Sequence, residues 1–332
     1  MCRSQHDKCA MNNLREIKGR LSSIRKNQQI MSAMKMVSAV KLRRIQAVVQ
    51  ASRPYAQHIE TLVQDWLALA GGSSLEHPFL LRRPVRRLLW VVISTDRGLC
   101  GSLNTNLFRF VQQALRERAE AKSEVALLLV GRKASDFFMR AQAPGSASVS
   151  HRSGLAKGEA LPPSPRLWRT SRPGEKAANF RIEQSFPLAA APAEVIVCQV
   201  CDLYRQGKVD QVELFYAHSK STFQQIPAEV PMLPVVPAVC EAGGRPKRAW
   251  LFEPAPGIIA GDLLLRYLES RMRQILFEEQ VSEHSARMIM MDQASKNASD
   301  MIDQIQLNYN TLRQGMITRE LADITTGMEA MA

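Results

Sequence analysis

The sequence predicts an α/β protein with a long α-helical coiled coil, in which helices from the two ends of the chain pair antiparallel. Two observations predict the coiled coil: at each end of the chain, apolar residues recur at alternating spacings of three and four. A third observation predicts the α/β part, because the middle of the chain changes to strand, helix and strand. The fold class therefore combines one helical and one mixed region.

The C-terminal helix is predicted over residues 257–332 and carries the clearest apolar seam. At about 1.5 Å per residue this helix would be on the order of 100 Å long, so it needs a helical partner of similar length. Its seam residues follow spacings of 3, 4, 3, 4, 3 and 4, which is the pattern of two helices that wrap around each other: Met291, Ala294, Ala298, Met301, Ile305, Asn308 and Leu312.

The N-terminal helix is predicted over residues 11–70, after a flexible, solvated tail at residues 1–10. Two seams at opposite ends of one chain predict an intramolecular antiparallel coiled coil. Because Pro54 lacks an N–H group, we expect a bend or a break near Arg53. The seam residues are Leu14, Ile17, Leu21, Ile24, Gln28, Met31, Leu42, Ile45, Val49, Ile59, Leu62, Trp66 and Leu69.

The α/β domain is predicted over residues 85–254. A buried strand at 87–94, the turn Thr95–Ser102, an amphipathic helix from Leu103 and a second strand at 125–130 predict a parallel unit with a right-handed crossover. Low complexity predicts a long loop at residues 141–175. The remaining predicted elements are a helix at 192–207, strands at 211–217 and 249–253, and an extended stretch at 222–239 broken by prolines.

Charge points to an acidic partner. The net charge is +13, and residues 12–53 hold ten basic residues against the single acid Glu16. Such an excess indicates nucleic acid, anionic lipid or an acidic protein surface. The longest apolar runs, at 88–93 and 125–130, are shorter than the roughly 18 residues of a membrane span. With no signal sequence at the start, we expect a protein of the bacterial cytoplasm.

The candidate catalytic groups are weak. Cys100 lies in a strand–turn–helix turn between Gly98 and Gly101, which resembles a nucleophile elbow or an anion-binding turn. The turn lacks the glycine motifs of either class, and no histidine context, including that of His218, indicates a base. The Cys198–Cys201 motif has no second ligand pair for zinc. The sequence predicts no catalytic, cofactor-binding or metal-binding residue, and we expect Asp96 and Arg97 to shape the loop or a contact surface.

Four segments give a family resemblance: NLREIKGRLSSIRKNQQIMSAMKMVSAVKLRR, STDRGLCGSLNTNL, WLFEPAP, and SEHSARMIMMDQASKNASD with LNYNTLRQGMITREL. Together they resemble the γ subunit of F-type ATP synthases, the central rotor shaft. The resemblance implies a Rossmann-like α/β domain between the paired helices. It also implies a non-catalytic subunit without cofactors, which couples ion flow through the membrane ring to ATP synthesis or hydrolysis at the β subunits by rotation.

The resemblance implies partners and contact residues as well. The partners are the α and β subunits of the catalytic hexamer, the ε subunit and the membrane c-type rotor ring, with no nucleic acid and no membrane span. The chain would lie peripherally on the cytoplasmic side of the bacterial inner membrane. Glu253 would face ε and the membrane ring. Residues expected to meet β or the surrounding ring are Met34, Lys35, Arg43, Arg44, Arg287, Arg313, Gln314, Thr318 and Glu320.

Two other functions compete with this interpretation. The basic first helix also fits a coiled-coil nucleic-acid-binding protein, which would bind DNA or RNA in a salt-sensitive way. A thiol enzyme built on Cys100 would lose its function when Cys100 is replaced. The family pattern itself is modified by the ten-residue start, by residues 141–175 and by GSLN in place of GGYN, which suggests a divergent or alternate bacterial form.

Overall fold

The computed structural model describes residues 2–70, 77–120, 124–142, 180–188, 192–235 and 256–329. Most of the predicted loop at 141–175 and the predicted strand at 249–253, with Glu253, lie outside these residues. The helices and strands are, in chain order, α1 Cys2–Ala70, β1 Arg87–Ile93, α2 Leu103–Glu120, β2 Glu124–Val130, α3 Arg132–Gln142, β3 Phe180–Phe186, α4 Ala193–Arg205, β4 Gln211–Ser219, β5 Gln225–Leu233 and α5 Pro256–Glu329.

The described residues group into two compact units. The first, here the coiled-coil unit, contains the described residues up to Gln46, the turn Leu99–Gly101 and α5 from Glu283 onward. The second, here the sheet unit, contains the remaining described residues. Each long helix therefore contributes residues to both units, whereas the sequence assigned each helix as a whole to the coiled coil.

The sheet unit is built on five strands in the order β3-β2-β1-β4-β5. β1 pairs in parallel with β2 and β4, and β2 pairs in parallel with β3. β5 pairs antiparallel with β4. The predicted α/β fold class is thus confirmed, and the extended stretch predicted from residue 222 contains the antiparallel edge strand.

Both faces of the sheet are covered by helices, which explains why β1 is a continuous apolar run. Alternate residues of a strand point to opposite faces, so β1 contributes to two separate cores. Leu88, Trp90 and Val92 pack with α2 and α3. Leu89, Val91 and Ile93 pack with α4 and with the parts of the long helices that belong to the sheet unit, including Ile59, Val63, Trp66, Leu264, Leu268 and Met272.

The coiled-coil unit pairs α1 and α5 antiparallel, as predicted. The Lys35 Nζ lies 2.6 Å from Asp292 Oδ1. Ten residues earlier on α1, the Arg25 Nη2 donates to Gln306 Oε1 at 3.0 Å. Partner numbers rise on one helix as they fall on the other, which only antiparallel helices produce. On α1 the predicted seam positions Ile17, Leu21, Ile24, Gln28 and Met31 are half-buried and Leu42 is buried.

The seam of α5 departs from its prediction beyond Ala298. Ile302 is 8% exposed, whereas the predicted seam residue Met301 is 51% exposed. Two turns later Tyr309 is half-buried and Asn308 is exposed. Because a helix has 3.6 residues per turn, positions three and four residues after Ala298 lie on the same side. The helix buries Ile302 in place of Met301 and Tyr309 in place of Asn308, which is the more apolar residue of each pair.

The structure of α1 differs from its prediction at two places, the break expected near Arg53 and the first residues. The helix runs without interruption through Pro54. Pro54 and Gln50 are both exposed, so water can bind the carbonyl that Pro54 leaves without an N–H donor. The helix also extends back to Cys2, where the sequence predicted a tail. No glycine or proline interrupts those first residues, so their backbone has no strong helix breaker.

Candidate functional site

The β1–α2 turn is held by side-chain hydrogen bonds within the sheet unit. The Thr95 Oγ1 donates to the Arg97 carbonyl at 2.8 Å, and the Asn104 Nδ2 donates to Thr95 Oγ1 at 2.7 Å. The Asp96 Oδ1 accepts from the Arg132 N–H, at the start of α3, and from the Leu188 N–H, both at 3.0 Å. A carboxylate at a helix N-terminus stabilises the helix. Asp96 therefore shapes this loop, as expected.

Cys100 and its neighbours belong to the coiled-coil unit. Leu99 and Gly101 both have left-handed backbone conformations, with φ of 65° and 61°. A Cβ on Gly101 would stand 2.9 Å from the Cγ and Sδ of Met290, so the turn lies directly against α5. Cys100 is 4% exposed. A thiol buried this way is a poor nucleophile, because a substrate cannot reach it.

We expect the substitution Cys100→Ala to leave the activity of the assembled complex within about twofold of wild type, since a small buried side chain is replaced by another, at a cost of about 1 kcal/mol in stability. The measurement is ATP hydrolysis by complexes reconstituted with the wild-type chain and with the Cys100→Ala chain. Loss of activity at unchanged subunit content would favour the thiol-enzyme alternative.

The Cys198–Cys201 pair lies on α4 with its two thiols in different environments. Cys198 is exposed and Cys201 is buried. Burial raises the pKa of the Cys201 thiol to about 12. Because the thiolate is the reactive form, Cys201 is an inert core residue, which agrees with the absence of a predicted redox role.

The predicted β-contact residues of α1 differ in exposure. Arg43 and Arg44 are exposed, whereas Met34 and Lys35 are half-buried. Lys35 pairs with Asp292 of α5, and hydrogen bonds from Lys35 and then from Lys296 lower the pKa of the Asp292 carboxyl. Lys35 therefore links the two helices, while the two arginines are open to an external surface.

Arg287 is buried and ion-paired within the coiled-coil unit. It is 6% exposed, its Nη2 lies 2.5 Å from Glu283 Oε1, and its Nη1 lies 3.3 Å from His284 Nδ1. Glu283 is also buried. Arg287 thus holds an ion pair inside the coiled-coil unit, and its contact with loops of the surrounding ring stays a prediction. Sequence reasoning missed Glu283, although its spacing of four residues before Arg287 is typical of a helical ion pair.

His284 makes stability depend on pH. Burial lowers the pKa of His284, and Arg287 and Lys41 lower it further against the opposing effect of Glu283. The unfolded chain therefore takes up this proton at a higher pH than the folded chain. Stability from this site is complete above the ordinary histidine pKa of 6.5 and falls as the pH drops below it.

We accordingly expect wild type to lose more unfolding free energy than His284→Gln between about pH 7.5 and about pH 5.5. The difference should stay below about 1 kcal/mol, because the side chain is partly solvated. Urea titrations at the two pH values measure it, and equal losses in the two proteins would contradict the assignment.

The far part of α5 presents both polar and apolar side chains. Arg313, Gln314, Thr318 and Glu320 are all exposed. Four large apolar side chains around them are 45–64% exposed. Such a surface is typical of a protein contact, and these apolar residues in the sequence could have indicated it. They are Leu312, Leu321, Ile324 and Met328 on α5, with Val37 at 55% exposure on α1 as a similar case.

Two structural features are absent from the described residues. No described helix is both long and apolar enough to cross a membrane. In the same part of the chain, no three histidine, cysteine, aspartate or glutamate residues are grouped so that they could hold a metal ion.

Known proteins resemble this chain over nearly its whole length. The family model described as ATP synthase matches residues 13–331. The ATP synthase gamma chain of Heliobacterium modesticaldum is 35% identical over 327 residues, which cover 97% of this chain and 100% of the relative. That of Pelotomaculum thermopropionicum is 34% identical over 321 residues, with the same two coverages.

Solved structures agree in fold. A chain of the Euglena gracilis mitochondrial ATP synthase, in its OSCP/F1/c-ring structure, has a TM-score of 0.59 at 18% identity, over 96% of this chain and 95% of that one. A chain of the rotor structure of the same complex has a TM-score of 0.54 at 16% identity, over 92% and 99%. The family model and the two relatives, together with the antiparallel helices and the α/β sheet, show that the chain belongs to the ATP synthase gamma chain family.

Proposed function

We propose that this chain is the central-stalk rotor subunit of an F-type ATP synthase. It couples ion flow through the membrane ring to ATP synthesis or hydrolysis at the β subunits by rotating within the α and β subunits. The observation that carries the proposal is the antiparallel pairing of the two chain ends, marked by the links from Lys35 to Asp292 and from Arg25 to Gln306. This pairing supplies the shaft.

A rotor has to differ from side to side, so that each orientation contacts the three β subunits differently. Residues 12–53 on α1 carry ten bases and one acid, whereas residues 283–323 on α5 carry six acids and four bases. Turning such a shaft changes the contact energy at each β subunit, and this differential energy is what shifts a binding site between states. The near balance on α5 fits a shaft better than a nucleic-acid-binding protein.

The chain acts without catalytic groups of its own, and the ATP chemistry belongs to the β subunits. The other partners are the ε subunit and the c-type ring, which Glu253 would approach. The complex places the chain peripherally on the cytoplasmic side of the inner membrane. The buried position of Cys100 supports a chain without catalytic groups, because cysteine is the most reactive residue type in the β1–α2 turn.

The contact residues fall into two groups. Met34, Lys35, Arg43 and Arg44 face an acidic segment of a β subunit, where the exposed guanidinium groups of Arg43 and Arg44 form ion pairs. The second group, near the end of α5, makes hydrogen bonds to loops of the ring. It comprises Arg313, Gln314, Thr318 and Glu320, with Arg287 contributing through its ion pair to Glu283.

Reversal of two charges tests the first group. In the double variant Arg43→Glu and Arg44→Glu, the coupling of ATP hydrolysis to ion pumping should fall by at least about fivefold, because attraction to the acidic segment becomes repulsion. The measurement is ions pumped per ATP hydrolysed in membrane vesicles. The matched control, Arg82→Glu with Arg86→Glu, makes the same charge change at exposed positions of the sheet unit. Equal coupling in the two double variants would contradict the proposed contact.

Co-purification tests the function as a whole. An affinity tag on this chain should recover α, β and ε polypeptides in a fixed ratio after gentle extraction. A salt-sensitive nucleic acid complex in their place would support the alternative. Recovery of the chain without α and β polypeptides would overturn the proposal.

A further inference from the structure

A cluster of hydrogen bonds joins α5 to β4 inside the sheet unit. The Ala217 N–H donates to Glu279 Oε2 at 2.7 Å, and the Ser282 Oγ donates to the Ala217 carbonyl at 2.6 Å. One α5 carboxylate and one α5 hydroxyl thus bind both backbone groups of the same strand residue. Glu279 and Ser282 are both 0% exposed, and Ala217 is 2% exposed.

The position of Ala217 explains why side chains are needed there. The parallel pairing of β1 with β4 ends at Val92 and Phe215. Ala217 lies two residues beyond that last pair, while its antiparallel partner on β5 is Pro227. A buried backbone N–H or carbonyl without a partner is costly. Helix α5 supplies the partners that a continued β1 would have provided.

A neighbouring residue of α5 extends the cluster to both sides of Ala217. The Tyr216 hydroxyl donates to Glu278 Oε2 at 3.0 Å, and the His218 Nδ1 lies 3.0 Å from the same oxygen. Three consecutive residues of β4 are therefore bound by one stretch of α5. We call this set the β4–α5 joint: Tyr216, Ala217 and His218 on β4, with Glu278, Glu279 and Ser282 on α5.

Apolar contacts and hydrogen bonds resist twisting differently. Apolar burial is non-directional and allows helices to slide or turn with little change in buried area. Hydrogen bonds lose strength steeply as their angle departs from linearity, and in a buried site no water replaces them. A helix held at one strand residue through both the N–H and the carbonyl is fixed in rotation as well as in position.

We infer that the β4–α5 joint is the positioning element that passes torsion between α5 and the sheet. This inference rests on the proposed rotor function, because only a rotating shaft needs a torsion-resistant anchor. The joint residues have a positioning role. They act by keeping α5 in one rotational setting on the sheet.

The test uses two buried serines of the same helix. Ser282→Ala removes the hydroxyl that binds the Ala217 carbonyl. Ser285→Ala, the matched control, removes a buried hydroxyl that has no hydrogen-bond partner among the described residues. A second pair of variants tests whether the Ala217 N–H needs a hydrogen-bond acceptor on residue 279. Glu279→Gln keeps an oxygen for this N–H, whereas Glu279→Ala does not.

Hydrogen exchange of the Ala217 amide in the full chain reads the bond itself. We expect exchange to be about tenfold faster in Glu279→Ala than in Glu279→Gln, because the first variant leaves the amide without an acceptor. Equal exchange rates of the Ala217 amide in the two variants would show that Glu279 does not bind this amide. That result would contradict the inference, whatever the function of the chain.

Ion pumping per ATP hydrolysed, measured in complexes of verified subunit content, reads the torsional role. Ser282→Ala should lower this ratio about threefold or more while ATP hydrolysis continues, and Ser285→Ala should match wild type. Equal ratios in the two serine variants would overturn the inference. Because Ser282→Ala removes one oxygen only, it decides the question even where Glu279→Ala fails to assemble. Failure of the wild-type chain to enter the complex would instead count against the proposed function.

Discussion

Replacing Gly131 with alanine is expected to destabilise the protein by about 3–5 kcal/mol. Gly131 connects β2 to α3 with φ of 100°, a conformation that L-residues rarely adopt. A Cβ there would stand 2.7 Å from the Ser94 carbonyl carbon and 2.7 Å from Ser94 Oγ, and closer still to the carbonyl oxygen. The backbone of Ser94 would have to move.

Ser94 cannot move without loss, because it ties three elements together. Its N–H donates to the Val130 carbonyl at 2.8 Å, and its Oγ accepts from the Ala134 N–H at 2.9 Å. The ends of β1 and β2 and the start of α3 therefore converge beside Gly131. The cost of Gly131→Ala combines backbone strain with the breaking of this buried network.

Urea unfolding of the full chain measures the effect, with Gly19→Ala as the matched control. Gly19 lies within α1, and a Cβ there would meet no atom of the described residues within 4 Å apart from its own helix backbone. There the same substitution should stabilise the protein by about 0.5–1 kcal/mol, since alanine favours the helix. A loss below about 1 kcal/mol for Gly131→Ala would show that the loop tolerates a side chain.

The second large effect is expected for Arg287→Met, which should destabilise the protein by about 3–5 kcal/mol. The substitution keeps an apolar stem of similar length but removes the guanidinium, so the Glu283 carboxylate remains buried without its cation. Removing one partner of a buried ion pair costs more than the pair itself contributes, because the remaining charge is left uncompensated.

A double variant separates this explanation from simple loss of side-chain contacts. Adding Glu283→Gln to Arg287→Met removes the uncompensated charge, so the double variant should recover at least about 1 kcal/mol relative to Arg287→Met alone. Thermal or urea unfolding of the three proteins gives the comparison. Additive losses would mean that the two residues do not act as a pair.

The repeating parts of this fold could be predicted from the sequence. Seams at spacings of three and four, and an apolar run flanked by turn residues, depend only on periodicity and burial. They predicted the long helices, their antiparallel pairing and the parallel strands β1 and β2. Family resemblance added the expected contact residues, of which Arg43 and Arg44 are exposed as an interface requires.

The details that sequence reasoning missed depend on three-dimensional context. Periodicity cannot choose between Met301 and Ile302, which lie on the same side of the helix. Pro54 predicts an interruption, yet exposure of its surroundings lets the helix continue. The sequence predicted a ring contact for Arg287 but did not indicate that Arg287 is buried beside Glu283.

Gly131 and the β4–α5 joint show a second limit. The sequence marks Gly131 only as the end of a strand, whereas its left-handed φ and the closeness of Ser94 follow from how β1 and β2 end side by side. Glu279 and Ser282 are 62 and 65 residues away from Ala217 in sequence. A hydrogen bond over that separation leaves no local pattern.

Single-molecule rotation tests the central claim most directly. The α and β subunits are fixed to a surface, a bead is attached to this chain through an introduced cysteine, and ATP is added. The paired helices predict continuous rotation in one direction, in three equal steps for the three β subunits. A bead that stays still while ATP is hydrolysed at the normal rate would contradict the account, because the chain would then be bound to the complex without being its shaft.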